Sequence, residues 1–416
     1  MALTPDERVF GWRDHASLWF SLGVGLLVMQ AGAFLVPAAS PRTAALAVLA
    51  GSVLGAALLG WVAYIGCGTG LSSAGLMLRT YGQSFARLPV LLNILQLAGW
   101  TTFELVIMRD ATLTIARHAT GLPLHGAGGV IVTTAAWGGV LVLMLSRPMT
   151  GLVRRVIGKI GVPLVVLSLV WLTWQFGVHL ANGTASGFWT RPGAGHMPFF
   201  AALDLVIAMP VSWFPVVADY ARHGRLRGDH GPARAFSGTW LGYALANIWC
   251  YGLGVAIAHS AAPGTPMLGA LLLAQGGLVA LGVILVDDLG NLYGAAYASA
   301  ASANSVYARW GVRRWSLVLA CTCTVLAVLL PMHGLEPFLL WLSSIFVPLY
   351  GVILARLGTR RPDALPAPHR VDVVAALIWL GGIALYHALP YFAPAIGSSL
   401  PTLAATFALG WATRAR

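Results

Sequence analysis

Runs of about 20 apolar residues recur along the whole chain, separated by short polar segments. A run of that length crosses a hydrocarbon core of roughly 30 Å as an α-helix. The runs are continuous, whereas a membrane β-barrel shows alternating segments of about ten residues. The pattern predicts an all-α polytopic membrane protein with twelve spans, at about residues 16–37, 43–66, 88–109, 127–146, 157–178, 198–218, 236–259, 276–303, 315–332, 336–356, 371–391 and 395–412.

Composition and charge agree with this pattern. Of the 416 residues, 58% are hydrophobic and 9% are charged, which is too little polar surface for a water-soluble globule. The net charge of +12 comes from arginines in the short connections, so it indicates topology rather than nucleic-acid binding. Twenty arginines fall in segments on the side of the amino terminus. Only Arg42, Arg109, Arg117 and Arg191 fall on the other side.

This bias predicts that both termini are cytoplasmic. The amino terminus lacks the basic, apolar and small-residue pattern of a cleaved signal peptide, so we expect the first span to be retained. No linker or composition shift divides the chain, which predicts one membrane domain over residues 1–416. The four cysteines lie in or beside apolar spans without metal-ligand spacing, so we expect reduced packing residues and neither a metal site nor a cofactor.

Two spans contain helix-weakening residues at mid-depth. The first reads "SLGVGLLVMQAGAF", with Gly23 and Gly25, and the sixth reads "LDLVIAMPVSWF", with Pro210. Breaks five spans apart in helices of opposite direction are typical of inverted repeats, although Gly and Pro are also common in membrane helices. We therefore predict two five-helix repeats, at about 16–178 and 198–356, and two further helices at about 371–412.

Ionisable residues inside a membrane are functional candidates, because each is destabilising when it faces lipid. In the third span Glu104 follows Trp100 by four residues, so an aromatic plane and a carboxylate share one helix face. This pair suits a flat ligand with N–H donors. The alternative is a protonated Glu104 that donates a hydrogen bond to a neighbouring helix.

The sixth span offers a second set of groups. Ser212 and Trp213 follow Pro210 and could supply free backbone groups, a hydroxyl and a second ring. Asp204 is either part of the same cavity or a cap of the broken half-helix. Asp219, beside Arg222, is predicted to form an interfacial ion pair or a gate.

The eighth span contains "VDDLGN". Asp287 and Asn291 are one turn apart and share a face, and Asp288 points about 100° away. Adjacent carboxylates in a low-dielectric site require a bound cation, a proton or a basic partner. The sole lysine, Lys159, is one such partner, or it only adds to the cytoplasmic positive charge near the fifth span.

Several segments in order resemble one known family. They are "GTGLSSAGLMLRTYG", "GWTTFE", "DLVIAMPVSWFPVVADYAR", "GNLYGAAYASAAS" and "FLLWLSSIFVPLYGVILA". Together they resemble bacterial nucleobase:cation symporters of the cytosine permease type, and most closely the hydroxymethylpyrimidine transporter branch. The resemblance implies a LeuT-type fold of 5+5 inverted helices plus two, in the cytoplasmic membrane.

The resemblance also implies a substrate site between the first, third, sixth and eighth spans. It assigns substrate contacts to Trp100, Glu104, Gly23, Gly25, Val211, Ser212, Trp213 and Asn291. Coupling to a proton or sodium ion is predicted, from the residues themselves rather than from the resemblance, at Asp287, Asp288, Lys159 and Asp204. Sodium-coupled relatives carry a Ser/Thr pair in the eighth span where this chain reads "VDDLGN".

The implied function is secondary active import of a small pyrimidine, with hydroxymethylpyrimidine first and cytosine or another nucleobase second. The expected partners are this substrate and the lipid bilayer, and the oligomeric state is left open. An amino-acid or amine symporter on the same fold is the alternative. A membrane-embedded enzyme is disfavoured, because the histidines are scattered and no HExxH-type motif is present.

Overall fold

A computed structural model describes residues 8–121, 126–146, 162–183, 188–190, 192–195, 197–226, 230–262, 264–358 and 370–414. The secondary structure of this part of the chain is helical, apart from one isolated β-bridge. The helices are α1 (Trp12–Gly23), α2 (Leu26–Phe34), α3 (Pro41–Thr69), α4 (Ser73–Tyr81), α5 (Arg87–Thr120), α6 (Ala127–Ser146), α7 (Val162–Gly183), α8 (Phe199–Ser212), α9 (Phe214–Ala221), α10 (Gly231–Ser260), α11 (Met267–Leu271), α12 (Gly277–Val306), α13 (Gly311–Leu329), α14 (Leu335–Leu357), α15 (Val373–Phe392) and α16 (Ser399–Ala412).

Each of the twelve predicted spans coincides with one helix or with a pair of consecutive helices. Within the described ranges, nine helical spans are long and apolar enough to cross a membrane, or ten when the bent pair α1–α2 is counted. Helices α7 and α16 complete the set of twelve, α7 with a shorter apolar stretch, Pro163–Val178, and α16 with 14 residues. The prediction of an all-α membrane protein is confirmed.

The first predicted break is present. Helix α1 ends at Gly23 and α2 begins at Leu26, and the two axes differ by 58°. Val24 and Gly25 between them have extended backbone angles, so the regular ladder of hydrogen bonds is interrupted there. The break leaves the Val24 carbonyl outside the helical ladder, where it accepts a hydrogen bond from a side chain of another helix, Asn291.

The second break is narrower than the sequence indicates and lies later. Helix α8 continues through Pro210 to Ser212, and only Trp213 separates it from α9. Residues Phe199–Ala221 still form one apolar span of 23 residues. Pro210 lies inside α8 without ending it, although it has no N–H to donate. The regular ladder is interrupted at Trp213, and Pro215 in the first turn of α9 also lacks a donor.

Small residues let the broken helices approach their neighbours. The α1–α2 pair packs along α10, where a Cβ on Gly242 would fall on the Ala16 carbonyl and a Cβ on Gly254 on the Met29 carbonyl. Helix α8 packs between α3 and α14, and α5 packs against α12. Close backbone contact through small residues is the usual way that membrane helices associate.

Segments predicted for one side of the membrane meet in the structure. Phe10 pairs with Gly224 in the β-bridge, Ser84 donates to the Arg370 carbonyl, and Arg356 forms an ion pair with Asp372. All of these lie in or beside the arginine-rich connections. At the other end, Ala194 donates to the Pro37 carbonyl. The fold is therefore consistent with the alternation that the arginine bias predicts.

Candidate functional site

Helix α5 carries the predicted aromatic and acidic pair on one face. The Trp100 ring meets the Phe338 ring edge-on, with centroids 5.5 Å apart. Glu104, one turn later, is 6% exposed, and its Oε2 has no hydrogen-bond partner among the described residues. A buried carboxylate oxygen without a donor is destabilising until a donor arrives. A ligand with N–H groups can supply that donor.

Three acidic side chains from two helices converge in this region. Asp287 and Asp288 of α12 both lie within electrostatic range of Glu104. Asp288 is fully buried, and in the described chain neither of its oxygens has a hydrogen-bond partner of normal geometry, although the Leu26 amide is directed toward it. Three carboxylates repel one another when charged, so a proton, a cation or a positively charged ligand group would stabilise them. Lys159, the predicted basic partner, lies outside the described residues.

The α12 side chains face the break between α1 and α2. Asn291 donates from Nδ2 to the Val24 carbonyl over 3.1 Å. A Cβ placed on Gly25 would lie 3.0 Å from Asp288 Oδ1 and 3.2 Å from Asn291 Nδ2. The carboxylate and the amide therefore lie directly against the extended backbone of the break.

This arrangement differs from the predicted pairing on α12. The spacing of four residues groups Asp287 with Asn291, but Asp288 accompanies Asn291 at the break. Residues three apart on a helix are also neighbours, so both groupings are open to a helix of this sequence. Only the position of the α1–α2 backbone selects between them.

Gly23 lies against another helix, whereas Gly25 lies against the polar side chains of α12. A Cβ on Gly23 would lie 2.8 Å from the Cβ of Ala246 on α10. The absence of a side chain at Gly23 therefore serves helix packing, and the structure does not bring this residue to the acidic side chains.

The three predicted contacts at the second break also separate. Trp213 shares a small apolar cluster with Trp100 and with Leu97 and Val216. Val211 is fully buried in the larger core cluster. The Ser212 hydroxyl donates to the Met209 carbonyl over 2.6 Å, inside its own helix. Of the three, Trp213 is the residue that packs against the same small cluster as Trp100, and its ring meets Trp19 edge-on with centroids 5.8 Å apart.

Asp204 occupies another part of the molecule. Its Oδ2 accepts a hydrogen bond from the Ser398 amide over 2.6 Å, and its Oδ1 accepts one from the Ser399 amide over 3.0 Å. The carboxylate thus caps the amino-terminal end of α16, where backbone donors have no partner within the helix. This placement favours the structural interpretation over the coupling role, and the capped helix is α16 rather than the broken α8.

A cavity of about 570 Å³ adjoins the small apolar cluster of Trp100 and Trp213 through Val216, Tyr220 and Ala298, and it extends to Phe10 and His223. We call it the vestibule. Its wall is built from α4, α5, α9 and α12, and it includes Asn93, Asp219, Tyr220, Tyr297, Ala298 and Ser302. Phe338 contacts both Trp100 and Phe103, with centroids 5.5 and 5.2 Å apart. Trp100 therefore packs against aromatic rings and does not line the vestibule itself.

Sequence reasoning missed two buried amides on α5. Gln96 is fully buried, one turn before Trp100, and Asn93 is 5% exposed. Gln96 donates from Nε2 to the Ser212 carbonyl over 3.0 Å and to Asn93 Oδ1 over 2.9 Å. The four-residue spacing from Gln96 through Trp100 to Glu104 is a signal that could have found Gln96.

A protein metal site requires several ligating side chains close together. In the described ranges, no group of three or more His, Cys, Asp or Glu side chains has an arrangement that could hold a metal ion.

Comparisons with known proteins agree with this architecture. A family model described as "Permease for cytosine/purines, uracil, thiamine, allantoin" matches residues 2–362. A search of curated proteins finds no match. The structure of Mhp1, a nucleobase-cation-symport-1 family transporter, in a closed conformation with bromovinylhydantoin bound, has a TM-score of 0.78 at 16% identity and covers 99% of this chain and 93% of that one.

Two further solved structures are similar. The inward-facing conformation of Mhp1 has a TM-score of 0.79 at 16% identity, covering 99% of this chain and 90% of Mhp1. The manganese transporter of Eremococcus coleocola, in complex with an aromatic bis-isothiourea substituted compound, has a TM-score of 0.57 at 12% identity, covering 96% and 92%. At these identities the structures show the fold, which is of the LeuT type. The chain belongs to the permease family for cytosine/purines, uracil, thiamine and allantoin, and it is a polytopic membrane transporter rather than an enzyme.

Proposed function

We propose that this transporter imports a small pyrimidine by symport with a cation. Hydroxymethylpyrimidine is the first candidate, and cytosine or another nucleobase is the second. The observation that carries the proposal is the pairing of the Trp100 ring with the buried, unpartnered Glu104 Oε2 on one face of α5. The family to which the chain belongs and the hydantoin-bound relative support a small heterocycle as the cargo.

The amino group of such a pyrimidine would donate to Glu104 while its ring packs on Trp100. Trp213 lies in the same apolar cluster and would contact the ring from the α8–α9 break. Aromatic contacts recognise the flat face of a ring, and the carboxylate recognises its polar edge. A ligand that lacks N–H donors would leave the Glu104 oxygen unpartnered and would bind less tightly.

Coupling to a proton is favoured over coupling to sodium. Asp288 lies against the α1–α2 break with both oxygens free of normal hydrogen bonds, so it can take up and release a proton there. Asp287 contributes to the same electrostatic region. A carboxylate can also ligate sodium, and the two ions are separated by experiment. Lys159, which lies outside the described residues, is the proposed basic partner of Asp287 and Asp288.

Alternating access would move the helices of the first, second, sixth and seventh spans against the others. The repeats at about 16–178 and 198–356 would be related by inverted topology, with both termini in the cytoplasm. The meeting of arginine-rich connections on one face supports this orientation. On this basis the vestibule opens toward the cytoplasm.

An importer of amines is the second candidate, because three converging carboxylates would attract an ammonium group. An amino acid fits less well, since its carboxylate would be repelled by Glu104, Asp287 and Asp288 unless they were protonated or paired.

Uptake of radiolabelled hydroxymethylpyrimidine into proteoliposomes tests the proposal. A pH gradient is compared with a sodium gradient, and excess unlabelled cytosine serves as competitor. We expect accumulation with the pH gradient alone, and loss of uptake in Trp100→Ala and Glu104→Gln. Trp174→Ala is the matched control, because Trp174 is 65% exposed on the outer surface of α7.

Three uptake results would contradict parts of the proposal. Accumulation driven only by sodium would overturn proton coupling but keep the pyrimidine. Uptake of an amine, with none of any pyrimidine, would replace the substrate class. Unchanged pyrimidine uptake in both variants would remove Trp100 and Glu104 from the site.

A further inference from the structure

The break between α8 and α9 leaves one carbonyl without a donor from its own helix. In a continuous helix the Ser212 carbonyl would accept from the Val216 amide, but that amide bonds to the Trp213 carbonyl over 3.0 Å. Pro215, the other nearby residue, has no N–H. A buried carbonyl without a donor destabilises the structure, so a donor from elsewhere is needed.

Gln96 of α5 supplies that donor. Its Nε2 lies 3.0 Å from the Ser212 carbonyl and 2.9 Å from Asn93 Oδ1. Because both of these partners are acceptors, the amide nitrogen must face them, and the orientation of the Gln96 side chain is fixed. Its Oε1 is buried and has no partner among the residues that the structure describes, so the two donated bonds hold the amide in this position.

Asn93 extends the contact to a third helix. Since its Oδ1 accepts from Gln96, its Nδ2 is free to donate, and it lies 3.4 Å from both the Pro215 carbonyl and Ser302 Oγ. Asn93, Pro215 and Ser302 all line the vestibule. We call Asn93 and Gln96 together the amide strut, which joins α5 and α12 to the α8–α9 break.

We propose that the amide strut is a positioning element of the transport cycle that holds the α8–α9 break in the arrangement open to the vestibule. Ser212, the residue that it binds, directly precedes Trp213. When α8 and α9 move relative to α5, the bond from Gln96 to the Ser212 carbonyl must be exchanged. The inference rests on the transport function, but it needs neither the identity of the cargo nor that of the coupling ion.

The amide strut should influence the relative populations of two states, one with the vestibule open and one with it closed. Removing the donor while keeping the side-chain volume, as in Gln96→Met, weakens the arrangement seen here relative to the one in which the vestibule is closed. A neutral buried hydrogen bond shifts such an equilibrium by about two- to tenfold. Asn93→Leu should have a smaller effect, because Gln96 keeps its bond to Ser212.

The test is the labelling rate of a cysteine in the vestibule. Ala298→Cys, in a background carrying Cys321→Ala, is reacted with a hydrophilic maleimide in lipid nanodiscs. Cys67, Cys250 and Cys323 are buried, so Cys321 is the native thiol that must be removed. We expect Gln96→Met to slow labelling by about two- to tenfold. The double variant Asn93→Leu/Gln96→Met should slow labelling about as much as Gln96→Met alone and by less than the sum of the two single effects, because the two residues belong to one hydrogen-bond network.

Two controls keep the experiment decisive. Thr101→Val removes a buried hydroxyl on the same helix whose bond, to the Leu97 carbonyl, stays within α5, and it should leave labelling unchanged. Local unfolding would speed labelling rather than slow it. Unchanged or faster labelling in Gln96→Met, or equal slowing in Thr101→Val, would overturn the proposal. Pyrimidine uptake plays no part in the readout, so a failure of the proposed substrate is seen separately.

Discussion

The two broken helices differ in the chemistry that surrounds them. The α1–α2 break is wide: two residues are extended, the axes bend by 58°, and the groups that face it are a carboxylate and an amide. The α8–α9 break is one residue long, and its free carbonyls accept from the neutral donors Gln96 and Ser212. Under the proposed function, a charge would be gained or lost at the first break, whereas the second would position the Trp213 ring.

This difference assigns separate tasks to the two halves of the site. The first break lies beside Asp288, where a proton or cation would bind. The second carries Trp213, which packs against the same small cluster as Trp100, and the ring of the proposed cargo would bind in this region. Glu104 lies within electrostatic range of the aspartates and on the same helix face as Trp100, so it connects the two regions.

The largest expected effect comes from neutralising the acid at the first break. Asp288→Asn keeps the shape of the side chain but removes the group that takes up a proton. We expect gradient-driven accumulation to fall by about tenfold or more, the effect of losing one interaction with a charged group. Exchange of labelled for unlabelled cargo at equal pH, which needs no net proton movement, should fall less. Both rates are measured in proteoliposomes.

Asp287→Asn provides the comparison, because Asp287 is the neighbouring acid but is not the one that meets Gly25. Its loss of accumulation should be smaller than that of Asp288→Asn. A greater loss in Asp287→Asn would mean that the coupling site is centred away from the α1–α2 break.

Adding one methyl group at each glycine of the first break should separate function from packing. In Gly25→Ala the new Cβ would meet the ends of the Asp288 and Asn291 side chains, at 3.0 and 3.2 Å. These ends can move, so we expect normal folding and a several-fold loss of uptake. In Gly23→Ala the Cβ would lie 2.8 Å from the Ala246 Cβ, which cannot rotate away, and stability should fall by about 1–3 kcal/mol.

Thermal unfolding in detergent and uptake, measured on the same preparations, distinguish the two variants. The expected pattern is lost uptake with retained stability for Gly25→Ala and lost stability for Gly23→Ala. The reverse pattern would show that Gly25 serves packing and that the acids do not depend on close approach to the break.

The sequence was sufficient for features that depend on local pattern. Span positions follow from apolar length, and the break at Gly23 and Gly25 follows from backbone propensity. The Trp100–Glu104 pair follows from helical period, since one turn separates the residues on any α-helix. The family also follows from the ordered motifs, and the family model that matches residues 2–362 confirms it.

Features that depend on how helices meet were not predictable in this way. Helical period groups Asp287 with Asn291, and only the α2 backbone shows that Asp288 faces the break. The narrow second break depends on Pro215 together with Gln96, a donor 116 positions away from Ser212. Asp204 is surrounded by apolar residues in the sequence, as a coupling residue would be. Its hydrogen-bond partners, however, lie at the start of a helix almost 200 positions later.

The smallest effect on transport is expected at Asp204, and it sharpens the contrast with Asp288. Asp204 accepts from two backbone amides at the start of α16, so Asp204→Ala leaves both donors without a partner. Loss of a helix cap lowers stability by about 0.5–2 kcal/mol, and we expect a value near the upper end because the two amides are buried. Asp204→Asn keeps one acceptor oxygen and should lose less. At a temperature where both variants are folded, their pH-driven uptake per folded molecule should equal that of the unmodified chain. Thermal unfolding and uptake are measured on the same preparations. If Asp204→Asn lost coupling without losing stability, Asp204 would belong to the proton pathway. That pathway would then extend from the α1–α2 break to Asp204 in α8.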